Sequence, residues 1–409
     1  MTAQNGAGPG APRRLPLPEF TAMLAMLFAT VSFSMDSMLP SLSAIAVELT
    51  PDAVNRAQLI VPIFMAGLGI GTLFAGPISD AVGRKPTIAG GISLYVAGAL
   101  LAYFANSLEA LLIARFIQGL GAAGPRIAGI ALARDLFAGS DMARVMSFVM
   151  MVFMIVPAVA PAIGAAIVAV TGWRTLFLAF ILFGLTALTW LSVRQGETLP
   201  ADLRRPLSPA ILGAGLREVL ANREVRAYTL VMSFGFGQMM ALLSSIQPIF
   251  TETFGRAREF PLWFAMIAGF SAATSFFNSR LVLRLGMRNM AAVVFGAQAL
   301  LSLVMTGLFM GQIAAGALAF PLFFLWAASI FCMMALTFGN LNALAMQTMG
   351  HLAGMASSVI SAVSTILAVA IAAPVGQLFD GTPRPVMLSA AICSCLAWAL
   401  LRATREKSI

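Results

Sequence analysis

The sequence predicts an all-α polytopic membrane protein: twelve transmembrane helices in two pseudo-symmetric six-helix bundles, with both termini cytoplasmic. Three observations carry this expectation. Hydrophobic residues make up 60% of the 409 and charged residues only 10%, where a soluble globular chain carries about 25% charged. Apolar runs long enough to cross a bilayer core, which takes about 20 helical residues, recur along nearly the whole length. Lysine and arginine crowd into alternate loops, the pattern that orients spans in a membrane.

In chain order, the apolar windows fall at 20–46, 57–78, 87–106, 108–132, 145–170 and 173–193. After a charged break they resume at 227–250, 261–282, 290–310, 314–340, 354–374 and 385–402. The expected organisation is a cytoplasmic tail over 1–19, a first bundle over 20–193, a cytoplasmic loop over 194–226, a second bundle over 227–402 and a tail over 403–409. The first window is about 25 residues long, beyond the roughly 7–15 of a signal-peptide core, so it is expected to stay as a span. With the N-terminus inside, eighteen lysines and arginines face the cytoplasm and five face out: Arg56, Arg174, Arg256, Arg258 and Arg384.

Within the central loop, Ser208-Pro209 has the chemistry of a helix start: a hydroxyl cap, then a proline whose missing N–H is not needed there. Leu212, Leu216, Val219 and Leu220 then share one face at about 100° per residue. A short amphipathic helix lying on the cytoplasmic membrane surface is expected. The loop "GPISDAVGRKPT" after the second span has a weaker echo in "NSRLVLRLGMRNM" after the eighth. There Gly286 and Arg288 take the places of Gly83 and Lys85, and nothing replaces Asp80. Two related halves around a central site is a transporter plan.

Several classes drop out. The net charge of +9 is spread over short loops rather than gathered into a face that would neutralise phosphates, so no nucleic acid is expected. Cys332, Cys393, Cys395 and the lone His351 give no metal-ligand spacing, and neither a metal nor a cofactor is expected. The stretch "RFIQGLGAAGPR", residues 115–126, holds a G-x-G-x-x-G at Gly119, Gly121 and Gly124. A dinucleotide turn needs a strand before it, whereas this one sits inside an apolar helix. Its glycines are expected to let neighbouring helices approach closely, and no enzymatic activity is expected.

Ionisable residues at membrane depth are expensive, by about 2.5–3.5 kcal/mol on insertion scales, and mark pathways by default. Only Asp36, Arg115 and Arg126 qualify. At ~1.5 Å rise per residue, Asp36 lies about 24 Å along the first span from Phe20. Arg115, on a span running the other way, lies about 10 Å below the same external surface. Similar depth and opposite charge make a direct or water-bridged pair the expectation, with snorkelling of Arg115 to the interface as the alternative. Burial favours a protonated carboxyl and a nearby cation favours the carboxylate, so Asp36 is expected to take up and release a proton.

Arg126 follows Arg115 by eleven residues, which returns to nearly the same face about 16 Å closer to the cytoplasm. Two readings stand for it: an anion-attracting group on the inner vestibule, or a structural or snorkelling arginine. Gln118, Gln238, Gln247 and Asn340 are softer candidates for contacting a substrate, with interhelical hydrogen bonding as the plainer reading. The 25 methionines suit an adaptable pocket and suit packing as well.

Together these motifs resemble the major facilitator superfamily over the whole chain. Residues 76–86, "GPISDAVGRKP", resemble its signature loop between spans 2 and 3, and "LLIARFIQGLGAAG" resembles its span 4 motif. Residues 156–167, "VPAVAPAIGAAI", look like a variant of its span 5 antiporter motif. Pro157, Pro161 and Gly164 match, while Ala160 and Ala165 stand where that motif has glycines. More narrowly, "MDSMLPSL", "MSFVMMV", "NSRLVLRLGMRNM" and "HLAGMASS" are similar to the Bcr/CflA branch of bacterial drug:proton antiporters.

The resemblance implies a monomer in the inner (cytoplasmic) membrane that exports small amphiphilic compounds by alternating access, driven by protons. Its partners would be a small-molecule substrate, protons and the lipid bilayer. It implies proton or cation binding at Asp36, coupling at Arg115, and a cytoplasmic gate at Gly76, Asp80, Gly83, Arg84 and Lys85. Physical chemistry agrees on the gate: Gly83 permits a left-handed turn, Pro86 suits a first helical turn, and Asp80 can accept from Arg84 or from a helix N-terminus. Arg126 lies outside the span 4 motif, which leaves open proton-coupled movement of a specific, anionic metabolite. A transporter-like membrane sensor is the third reading.

Overall fold

A computed structural model describes residues 15–314, 316–349 and 352–404; Arg13, Arg14, His351, Arg405 and Lys407 lie outside the described residues. The described chain forms helices and no strands, and twelve of its helical segments are long and apolar enough to cross a membrane. The first crosses in two pieces, α1 (Leu17–Asp36) and α2 (Leu42–Leu49), joined by a tight turn over Leu39–Ser41. Pro40 has no N–H to return to the Asp36 carbonyl, so the span breaks immediately after its one embedded carboxylate. Then follow α3 (Ile60–Val82), α4 (Arg84–Tyr103), α5 (Leu108–Leu136), α6 (Gly139–Thr171) and α7 (Thr175–Arg194). The connector holds α8 (Pro209–Ala221). The second six spans are α9 (Arg223–Pro248), α10 (Phe260–Leu285), α11 (Met287–Met310), α12 (Ala319–Met346), α13 (Ala353–Gln377) and α14 (Arg384–Ala403).

Several helices outrun their apolar windows. α6, for example, starts at Gly139 rather than near residue 145. Backbone hydrogen bonding continues past the hydrocarbon core, where side-chain hydropathy no longer marks it. Local chemistry sets the ends instead: the Ser107 hydroxyl accepts the Ala110 N–H at 3.2 Å to start α5. Asn222 caps α9 by accepting from Glu224 and Val225 at 2.9 and 3.2 Å.

Packing repeats between the halves. α5 lies against α1, α3 and α4, and its counterpart α12 lies against α9, α10 and α11. α7 contacts α1 and α4 just as α14 contacts α9 and α11. The halves meet through α3 on α13 and α6 on α10, each time the second helix of one half against the fifth of the other. The loop echo seen in the sequence has a structural basis. Gly83 and Gly286 both take positive φ, +112° and +74°, between paired helices. Lys85 donates to the Ser192 carbonyl near the end of α7, and Arg288 to the Leu401 carbonyl near the end of α14, each at 2.9 Å.

The glycine pattern of α5 is a packing seam. A Cβ on Gly119 would lie 2.0 Å from the Phe64 carbonyl oxygen of α3, and one on Gly121 would lie 2.3 Å from the Tyr95 nitrogen of α4. Gly124 meets the Thr87 carbonyl of α4 in the same way, at 2.8 Å. Backbone lies directly on backbone, which only glycine allows. The connector helix departs from expectation. Val219 is fully buried and packs with Leu216, Leu220, Val225 and Met355, and a Cβ on Gly215 would overlap Met355 of α13. Of the expected face, Leu216, Val219 and Leu220 are covered by the second half rather than turned to lipid, because the foot of α9 and α13 supplies a matching apolar surface, while the Leu212 side chain lies outside the described residues.

Candidate functional site

The two ends of the molecule differ. At the end away from the connector, side chains stitch the halves together. Ser43 donates to Gln247 Oε1 at 2.9 Å and Ser245 to Gln58 Oε1 at 2.8 Å. Asn55 donates to the Phe379 and Gln377 carbonyls at 2.7 and 3.2 Å, and Gln377 Nε2 returns a bond to the Asn55 carbonyl at 2.9 Å. At the connector end a cavity of about 620 Å³ opens between α3 and α5 on one side and α12 and α13 on the other. Asp80, Ile130, Arg134, Met346, Met355 and Ser358 are among its walls.

Deep in the first half lies a polar cluster built by α1, α4 and α5. Asp36 is 1% exposed at the broken end of α1, and its Oδ2 has no hydrogen-bond partner among the described residues. Arg115, fully buried, donates to Gln118 Oε1 at 2.6 Å and to the Ser34 carbonyl at 3.2 Å. Its guanidinium also lies over the Phe64 ring, 4.3 Å from the centroid. The expected level of the two charges holds, since Arg115 reaches the backbone two residues before Asp36, but no ion pair joins them among the described residues. Snorkelling does not occur: the guanidinium is turned inward and held by a carbonyl, an amide and an aromatic face. The Ser34 hydroxyl contacts the Tyr95 hydroxyl, also fully buried. Ser34, Tyr95 and Phe64 were not singled out from the sequence. A signal did exist, since the chain has 30 phenylalanines and three tyrosines, so a tyrosine inside a span marks a place that needs a hydroxyl.

The span 5 motif serves this cluster. α6 buries few side chains, among them Ala160, Pro161 and Gly164, with Pro157 half-buried. A Cβ on Gly164 would lie 2.1 Å from the Ser37 carbonyl, so this glycine lets α6 close on the break beside Asp36. The other amide candidates lie apart. Gln238 accepts from Ser394 at 3.1 Å inside the second half, and Asn340 donates to Asn278 at 3.0 Å. Gln247 belongs to the stitched end.

At the cavity mouth the signature loop is assembled around Arg84, which donates to Asp80 at 2.5 Å and to Asp135 of α5 at 3.0 Å. Gly76 faces Ser358 of α13 across the gap between the halves. Glu197, just past α7, carries no motif that would single it out. Its carboxylate accepts the Arg84 and Lys85 N–H groups at 3.0 and 3.1 Å, an acidic cap on the positive end of α4. Glu197→Ala is expected to leave those N–H groups without their acceptor and to destabilise by about 1–2 kcal/mol. Thermal unfolding of the purified protein should then fall by a few degrees, and an unchanged midpoint would contradict the cap.

Sequence and structure comparisons agree with this architecture. The profile of the Major Facilitator Superfamily matches residues 21–373. The chain belongs to the Major Facilitator Superfamily. It is a membrane transporter rather than an enzyme, and its substrate is a small molecule. A bicyclomycin resistance protein homolog from Haemophilus influenzae is 29% identical over 393 residues, 95% of this chain and 97% of that one. The multidrug resistance protein MdtL from Salmonella typhi is 29% identical over 249 residues, 59% of this chain and 60% of its own. The xylose transporter XylE from E. coli, in a partially occluded inward-open conformation, superposes with a TM-score of 0.72 at 13% identity, covering 96% of this chain and 99% of that one. At that identity the likeness is one of fold. This superfamily member thus has relatives named for drug resistance.

Proposed function

We propose that this transporter exports small amphiphilic compounds from the cell in exchange for protons, with Asp36 as the protonation site and Arg115 as its coupling partner. The observation that carries the reading is Asp36 itself: a carboxyl 1% exposed, at the break of α1, with Oδ2 free of any described partner. A charged carboxylate there lacks the donors that would stabilise it, while a protonated one is tolerated, so its charge state favours one arrangement of the helices around it. Arg115 supports coupling because it holds the α1 backbone through the Ser34 carbonyl. Movement at Asp36 is therefore felt along α5.

The excess of lysine and arginine, eighteen against five, supports cytoplasmic termini in an inner membrane. On that orientation the stitched end is external, and the cavity between the 20–193 and 227–402 bundles opens inward. Gly76, Asp80, Gly83, Arg84 and Lys85 then act as the inner gate, exchanging their contacts as it closes, and a single copy suffices. The test is a susceptibility and accumulation panel in cells with and without the protein. Reduced accumulation of a panel compound, restored by a protonophore, is expected. A compound moved only inward would sink the export reading, and no movement of any compound would favour a sensor.

A further inference from the structure

Resting on the transport reading above, we infer that the substrate binds as an organic anion, its acidic group held by Arg126 and drawn in past Arg134 and Arg205. The inner cavity is lined by two aspartates and three arginines: Asp80, Asp135, Arg84, Arg134 and Arg205. Both aspartates are committed to Arg84, at 2.5 and 3.0 Å. Arg134 and Arg205 are exposed at the mouth, and neither side chain makes an ion pair or hydrogen bond with a described residue. The mouth therefore carries positive charge that the protein leaves unbalanced.

Further in, Arg126 is partly buried and likewise has no hydrogen bond or ion pair with any described residue. Its direction follows from the helix wheel. On α5, Gly119 and Ala123 face α3 while Gly129 faces Leu24 and Phe28 of α1. At about 100° per residue Arg126 projects between those two directions, at the edge of the α5 face that lines the cavity: it is not itself one of the walls, and Ile130, the nearest wall on the wheel, is some 40° from it. An arginine drawn out of water without an anion is unfavourable, and none of the described carboxylates serves it. A partner that arrives and leaves fits this position. The guanidinium presents a planar fork of donors matched to a carboxylate or phosphate-like group, and Met346 and Met355 of the adjoining cavity suit an apolar body.

Arg126 lies eleven residues from Arg115, about 16 Å along α5, so the anion does not displace the proton of Asp36 directly. Coupling passes through α5, which carries both arginines. Asp36 is the one fully buried carboxylate among the described residues, which gives one proton per cycle. One anion out for one proton in then moves two elementary charges, whereas a cation exchanged for a proton moves none.

Matched xanthene dyes test this: fluorescein, an anion, and rhodamine 123, a cation. Fluorescence anisotropy with the purified full chain should show fluorescein binding, weakened about tenfold or more in Arg126→Gln, as for loss of one charge-assisted hydrogen bond. Arg126→Lys should retain part of the affinity. Removing an unpaired buried charge should leave the thermal midpoint of Arg126→Gln unchanged or raised, whereas a structural arginine would lower it. Fluorescein transport in proteoliposomes should accelerate with an imposed membrane potential. Equal fluorescein binding by wild type and Arg126→Gln, preferential binding of rhodamine 123, or no fluorescein binding up to millimolar concentration would overturn the anion site. Fluorescein that binds through Arg126 but is not driven by a pH gradient would overturn proton coupling and leave the anion site standing.

Discussion

Asp36→Asn is expected to abolish uphill transport while sparing exchange. With one proton per substrate and the membrane potential clamped, a one-unit pH gradient supplies about 1.4 kcal/mol and sustains about tenfold accumulation. Asparagine fills the same volume beside the Ser37 break but has no proton to give up, so the accumulation ratio should fall to one. Counterflow of labelled against unlabelled substrate needs no net proton movement and should persist. A variant that still accumulates substrate tenfold would place the proton elsewhere, and one that loses counterflow too would make Asp36 a structural or substrate contact instead.

Gly119→Val has the largest expected effect on folding. Its Cβ would lie 2.0 Å from the Phe64 carbonyl oxygen, with the Phe64 carbonyl carbon and the Leu68 nitrogen within 3.0 Å. All three are backbone atoms, so no side chain can swing away and α5 must lift off α3. Overpacking of a tight core costs about 1–3 kcal/mol, and here it also moves the Phe64 ring from under Arg115, where the two lie 4.3 Å apart. Little folded protein is expected by size-exclusion of detergent extracts. Gly90→Ala, where nothing lies within 4 Å, is the matched control and should behave as wild type. Equal yields of the two variants would contradict the seam.

The membrane fold was legible because it is written in composition, and the repeat because Gly83 and Gly286 solve the same turn in both halves. Asp36, Arg115 and Gln118 were legible as a candidate site because charge and amide groups stand out against apolar helices, and helix rise put the two charges at one level. Three things were not legible. The contact that ties Arg115 to α1 is a backbone carbonyl, which every residue carries and no sequence pattern distinguishes. The role of Glu197 depends on where the connector folds back, a long-range contact across more than a hundred residues of separation from Arg84. The connector helix shows an apolar face in the sequence, but whether lipid or protein covers it is decided by the foot of α9 and α13.

The most direct measurement is the pH gradient itself. In everted vesicles that have been acidified inside, adding a transported compound should dissipate the gradient as protons leave in exchange. Wild-type protein is expected to show this response, and Asp36→Asn, at equal expression and with counterflow intact, to show none. An undiminished substrate-evoked response in Asp36→Asn would contradict it.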